Sequence, residues 1–135
     1  MPTKIFVNLP VQDLARSTRF FAELGFSFDP RFTDENATCL VISDDSYAML
    51  LTEPFFRNFT DKDLADTSTT TEAILALEVE SRPQVDELAQ RALASGGSPA
   101  GEPMEQDGMY QRSFQDPDGH LWEVFYMDPA LIPVG

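Results

Sequence analysis

Ile5, Val7, Leu9 and Val11 alternate with Phe6, Asn8 and Pro10 in the opening run KIFVNLPVQDL, the period of two expected of a strand with one buried face. Pro10 has no N–H to give a neighbouring strand, so it marks an edge position or the strand's end. The period then changes. In LARSTRFFAELG, Leu14, Thr18, Phe21 and Leu24 form one helical stripe with Phe20 beside it, while Asp13 stands at the N-cap and Gly25 supplies the stop. Three strand-like runs follow, FSFDPRF, ATCLVIS and YAMLLTE, the last two separated by DDS, a tight turn.

The second half repeats this order. In EAILALEVE, Leu75, Leu77 and Val79 share one face and Ile74, Ala76 and Glu78 the other. Ser81 and Gln84 read as an S-x-x-Q capping box with Pro83 in the first turn. Val85, Leu88, Ala89, Ala92 and Leu93 carry the helical stripe that Gly96-Gly97 ends. GMYQRSFQ and HLWEVFYM then flank the turn DPDG as a hairpin. Each half therefore reads strand, helix, run of strands, and a duplicated βαβββ unit is the simplest account. The first module spans about residues 1–53, the second about 72–128, with a tail at 129–135.

Between them lies a segment of another character, residues 54–71. Pro54 opens a short helix bearing Phe55, Phe56 and Phe59, and the polar run TSTTT comes after it. Two readings stand, a linker whose phenylalanines cover the end of a sheet, and a flap over a pocket.

A chain of 135 residues is one domain's worth. Nine Lys and Arg against twenty-three Asp and Glu leave a formal charge of −14, which repels nucleic acid and anionic membrane. The expected partners are a small molecule and a second copy of the chain, as a homodimer. A lone Cys39 forms no internal disulfide, and neither a leader-like start nor a membrane-length apolar run is seen. A reduced, cytoplasmic protein is the expectation. Cys39 sits among Leu40, Val41 and Ile42, as a buried strand thiol would. GGSPAGEP follows a helix and lacks the order of a phosphate loop.

The doubled pattern, the opening VNLPVQDLARSTRFFAELGF and the closing DPDGHLWEVF together resemble the vicinal oxygen chelate superfamily of glyoxalase I, bleomycin-resistance proteins and extradiol dioxygenases. The resemblance covers nearly the whole chain. KIFVNLPV, ISDDSYAMLLTE and SFQDPDGHLWEV are similar to strings in its small bacterial group of lactoylglutathione-lyase-like proteins. It implies an α+β fold of two βαβββ modules, eight strands in an open half-barrel sheet around a cleft, usually in a homodimer.

The resemblance also says where to look for chemistry. Metal-binding members use four ligands, and the matching positions here are Phe6, Ile74, Met49 or Leu51, and Glu123. Only Glu123 can serve as a carboxylate ligand, and one carboxylate is a poor shell for Ni, Zn, Mn or Fe. His120 and Glu123 are three apart on a strand and so point to opposite faces; a local hydrogen bond is the expected fate of His120. By alternation the cleft-facing set is Phe6, Asn8, Glu72, Ile74, Ala76, Glu78, Leu121, Glu123 and Phe125. Glu123 among apolar neighbours is the candidate general base, and Asn8, Glu78 and Glu123 are the candidates for a shifted metal site. Trp122 reads as core or dimer interface, and Tyr110 and Arg112 as an anion contact or a surface pair. Two functions follow. One is a lactoylglutathione-lyase-like isomerase, lyase or dioxygenase with a degenerate metal site. The other is a metal-free protein that sequesters a small molecule, in the manner of the resistance proteins, and an acidic chain suits a cationic, aromatic ligand.

Overall fold

A computed structural model describes residues 3–131 of the chain. It divides into two compact units, Met1–Asp66 and Thr67–Gly135, and each unit follows from its own periodicity.

In the first unit the alternating run forms β1 (Ile5–Val11) and the helical stripe forms α1 (Leu14–Glu23). The Asp13 carboxylate accepts from the Arg16 N–H at 3.1 Å, which satisfies one of the amides that a helix start leaves open. Then come β2 (Ser27–Phe28), β3 (Ala37–Val41), β4 (Ser46–Thr52) and the short α2 (Glu53–Phe56), which runs into a 3-10 turn at Arg57–Phe59. The sheet order is β1-β4-β3-β2, with β1 parallel to β4 and the other pairs antiparallel. Leu9, Leu50 and Thr38 stand in one row. Thr38 meets Thr18 of α1 through their hydroxyls at 3.1 Å, so this row faces the helix. Phe20 and Phe21 of α1 and Val11, Leu40, Ala48 and Leu50 of the sheet are all buried. FSFDPRF departs from expectation, since only Ser27 and Phe28 pair. Asp29 accepts from the Arg31 N–H at 3.0 Å and Pro30 follows, which turns the chain into a 3-10 turn at Pro30–Phe32.

The second unit has β5 (Ile74–Glu78), α3 (Arg82–Ala94), β6 (Ser98–Pro99), β7 (Met104–Gln106), β8 (Met109–Gln115) and β9 (Leu121–Met127). Its order, β5-β9-β8-β6, copies the first sheet with β5 parallel to β9, and β7 is added on β8. Asp107-Gly108 makes that extra hairpin, both residues having positive φ as a two-residue loop of this kind requires. At α3, Ser81 Oγ accepts from the Gln84 N–H at 3.3 Å and Gln84 Oε1 accepts from the Glu80 N–H at 2.8 Å, the capping box displaced by one residue. Val85 and Ala89 pack on Val124, with Tyr110 and Tyr126 alongside. The Trp122–Val124–Tyr126 face of β9 is therefore the helix side, and Leu121, Glu123 and Phe125 point the other way. The fold is α+β, two βαβββ modules with open sheets. Among the described residues no helix is long and apolar enough to cross a membrane.

Candidate functional site

The register of β5, β9 and β8 builds one face of the second unit in rows. Ile74, Leu121 and Gln115 form the first, Ala76, Glu123 and Ser113 the second, and Glu78, Phe125 and Gln111 the third. Glu123 thus has a small residue on either side and an apolar side chain before and after it on its own strand. It is half-buried. Gln111 reaches diagonally from β8 and its Nε2 donates to Glu123 Oε2 at 2.6 Å, which fixes the carboxylate without neutralising its charge. Ile74, Ala76 and Glu78 are exposed along β5. The sequence placed Glu123, Ile74, Glu78, Leu121 and Phe125 on one face, and they lie on one. Gln111 was missed, because only the strand register brings it there.

The same rows recur in the first unit. Phe6 pairs with Tyr47 and Asn8 with Met49, and Cys39 stands across from Met49. Phe6 stacks on the Tyr47 ring at 4.6 Å and 9°, and Asn8 Nδ2 donates to its neighbour's carbonyl, Phe6 O, at 3.2 Å. Phe6 and Ile74 occupy equivalent places, as do Met49 and Glu123, each two residues past the partner of the first-strand residue. Cys39 is buried, and burial pushes its thiol up.

Glu72 has another role. Its Oε1 lies 3.2 Å from His120 Nδ1, and His120 is only 2% exposed. His120 belongs to the DPDG turn, which is organised by Asp116: its Oδ1 accepts from the N–H groups of Asp118 and His120 at 2.9 and 3.0 Å, and its Oδ2 from Trp122 Nε1 at 3.1 Å. Burial raises the Asp116 carboxyl above the usual range, while His120 and these donors pull it down. From residue 67 the linker is tied to the same turn, Thr67 Oγ1 donating to the Asp118 carbonyl. Tyr110 and Arg112 face α3 instead, at 2.5 and 3.3 Å from Asp86 Oδ1, and the Asp86 carboxylate raises the Tyr110 hydroxyl pKa.

Comparison with known proteins places this geometry. The bleomycin resistance protein-like N-terminal family matches residues 3–43. No curated protein matches the chain significantly. A hypothetical protein of S. aureus aligns at 27% identity over 93% of this chain and 95% of its own, with a TM-score of 0.78. A glyoxalase-related enzyme from Fulvimarina pelagi aligns at 22% over 100% and 94%, TM-score 0.79. A glyoxalase/bleomycin resistance protein/dioxygenase family enzyme from Burkholderia phytofirmans PsJN aligns at 18% over 91% and 97%, TM-score 0.75. The fold is that of these glyoxalase/bleomycin resistance structures, and the family match covers residues 3–43.

The donor set is the test of a metal. The positions to which the resemblance points hold Phe6, Met49, Ile74 and Glu123, two without any donor atom and one with a thioether, a weak acceptor. Glu123 is already bonded to Gln111. Among the described residues no three His, Cys, Asp or Glu side chains come together as a metal site. These residues do not fit a catalytic divalent ion.

Proposed function

We propose that this chain is a vicinal oxygen chelate protein that binds a small molecule without a metal, over the open face that carries Glu123. The observation behind this reading is the Gln111–Glu123 bond at 2.6 Å, set where the superfamily's other ligand positions are filled by Phe6, Met49 and Ile74. A carboxylate held by one amide and surrounded by Ala76, Leu121 and Phe125 is a polar anchor in an apolar setting, the usual make-up of a ligand site. Phe6 and Asn8 lie on the corresponding face of the first unit, and Glu72 is engaged by His120. The chain works as one glyoxalase-like domain within a homodimer in the cytoplasm.

A second reading is favoured by the solved structures described as enzymes. In it Glu123 is a metal-free general base on an oxygen-bearing substrate, and the chain is a lactoylglutathione-lyase-like enzyme. The experiment is a thermal-shift screen against neutral and cationic aromatic compounds, run beside turnover of 2-oxoaldehyde thiol adducts with Ni, Zn, Mn and Fe(II) added. The expected result is at least one compound that raises Tm in wild type and fails to do so in Glu123→Gln, with no turnover under any metal. Turnover that Glu123→Gln abolishes would replace binding by catalysis.

A further inference from the structure

The run at 67–71 is neither a bare linker nor a loose flap. Its first residue is tied to the Asp118 carbonyl by Thr67 Oγ1, and Gly119 lies so close that a Cβ there would sit 2.5 Å from the Thr67 carbonyl oxygen. Just past its last residue, Glu72 is held at His120. Pinned at both ends, the run borders an open hollow of about 260 Å³ together with Gln115, Leu121, Gly119 and Ala100. Gln115 and Leu121 form the first row of the Glu123 face, so the hollow opens beside that face within the same unit.

We propose that this hollow is a binding pocket for a neutral, polyhydroxylated group about the size of a pentose. The proposal goes beyond the small-molecule reading above, since the hollow adjoins the Glu123 face and does not include Glu123. Four threonines and Ser68 line the wall with the Gln115 amide. Each hydroxyl carries one donor and two acceptor positions, so a hydroxyl that makes one internal bond still has capacity for a ligand. An apolar occupant would displace water from the remaining positions of those hydroxyls and offer nothing in its place, which selects against it. No Lys, Arg, His, Asp or Glu lines the hollow, so a charged occupant would be desolvated without a counter-ion. The chain's −14 charge adds repulsion against anions. At roughly 30 Å³ per water the hollow equals about nine waters, small for a drug-like ligand and sufficient for a sugar ring.

The test uses the full-length ¹⁵N-labelled chain, titrated in turn with D-xylose, glycerol and the anion D-xylonate, with amide shifts read by NMR. D-xylose is expected to shift the amides of residues 67–71 and of Gln115 saturably, glycerol to do so more weakly, and D-xylonate to bind about tenfold less tightly than D-xylose. Ala100→Phe, which fills the hollow, and Gln115→Leu, which removes the amide, should each weaken D-xylose about tenfold, and either alone suffices if the other fails to fold. Glu123→Gln should leave the shifts at 67–71 in place. No saturable shift, D-xylonate bound as tightly as D-xylose, or indifference to both variants overturns the pocket. Shifts confined to residues 121–125 and lost in Glu123→Gln would also overturn it, while sparing ligand binding over the Glu123 face.

Discussion

A methyl group on Gly119 would meet the Thr67 carbonyl oxygen at 2.5 Å, and Gly119 also holds φ at +88°. Both penalties fall on backbone atoms that no side-chain rotation relieves. Gly119→Ala should therefore destabilise the chain by about 2–4 kcal/mol. Gly96→Ala is the matched control: its φ is +110° and a Cβ there meets nothing within 4 Å, so it should cost only the backbone term, about 1–2 kcal/mol. Urea unfolding of the two variants separates clash from strain, and equal losses would mean that the Thr67 contact is not held in solution. The same turn explains two neighbours whose roles a spacing alone confuses. His120 faces inward to Glu72, and Glu123 faces outward to Gln111. Period two in a strand was enough to separate them. It misplaced Glu72, which alternation from Ile74 puts on the cleft side and which instead reaches His120 across 48 residues of sequence.

At the level of elements, local signals and long-range pairing divide the work. The α3 start rests on Ser81 Oγ and on Gln84 Oε1, each satisfying one backbone amide. Ser81→Ala should cost about 1 kcal/mol, seen as a lower urea midpoint with an unchanged slope, because α3 carries Val85 and Ala89 against Val124 and unfolds with its sheet. A helix that frays alone, with faster amide exchange confined to residues 82–85 and no change in midpoint, would refute that coupling. Strand β1, helix α1, strand β5, helix α3 and the β8–β9 hairpin were all legible in alternation, caps and the DPDG turn. Three elements were not. Ser98–Pro99 pairs with β8 inside GGSPAGEP, a run whose glycines and prolines hide a strand. FSFDPRF has a strand's composition, but Asp29-Pro30 turns it after Phe28. Met104–Gln106 pairs because of the Asp107-Gly108 turn, a local hairpin signal hidden by a run with no alternation. The candidate site divides likewise. Glu123 and its strand neighbours follow from one strand, whereas Gln111 needs the register that Gln115 and Leu121 start at the turn, and the wall at 67–71 needs a tertiary contact.

The whole chain carries two features that pull against each other. β1 and β5 each pair on one side only among the described residues, and the exposed large apolar residues include Ile5 at 58%, Phe6 at 41% and Ile74 at 55%, all on those strands. An edge with apolar side chains is a template for another chain, and burying such a residue stabilises by about 1.5–3 kcal/mol. Against this, each copy brings a charge of −14, which opposes association and is screened by salt, the Debye length falling from about 30 Å at 0.01 M to about 8 Å at 0.15 M. A homodimer built on these edges should accordingly tighten as salt rises. Light scattering on wild type is expected to give twice the chain mass at moderate salt, with more monomer at low salt. Ile5→Lys and Ile74→Lys place a charge on each edge. Because both positions are exposed within the chain, each should change its own stability by less than about 0.5 kcal/mol while driving the dimer apart. A wild type that stays monomeric at every salt, or a dimer that neither lysine disturbs, would remove the edges as the interface, since no other desolvation could then be charged to these strands.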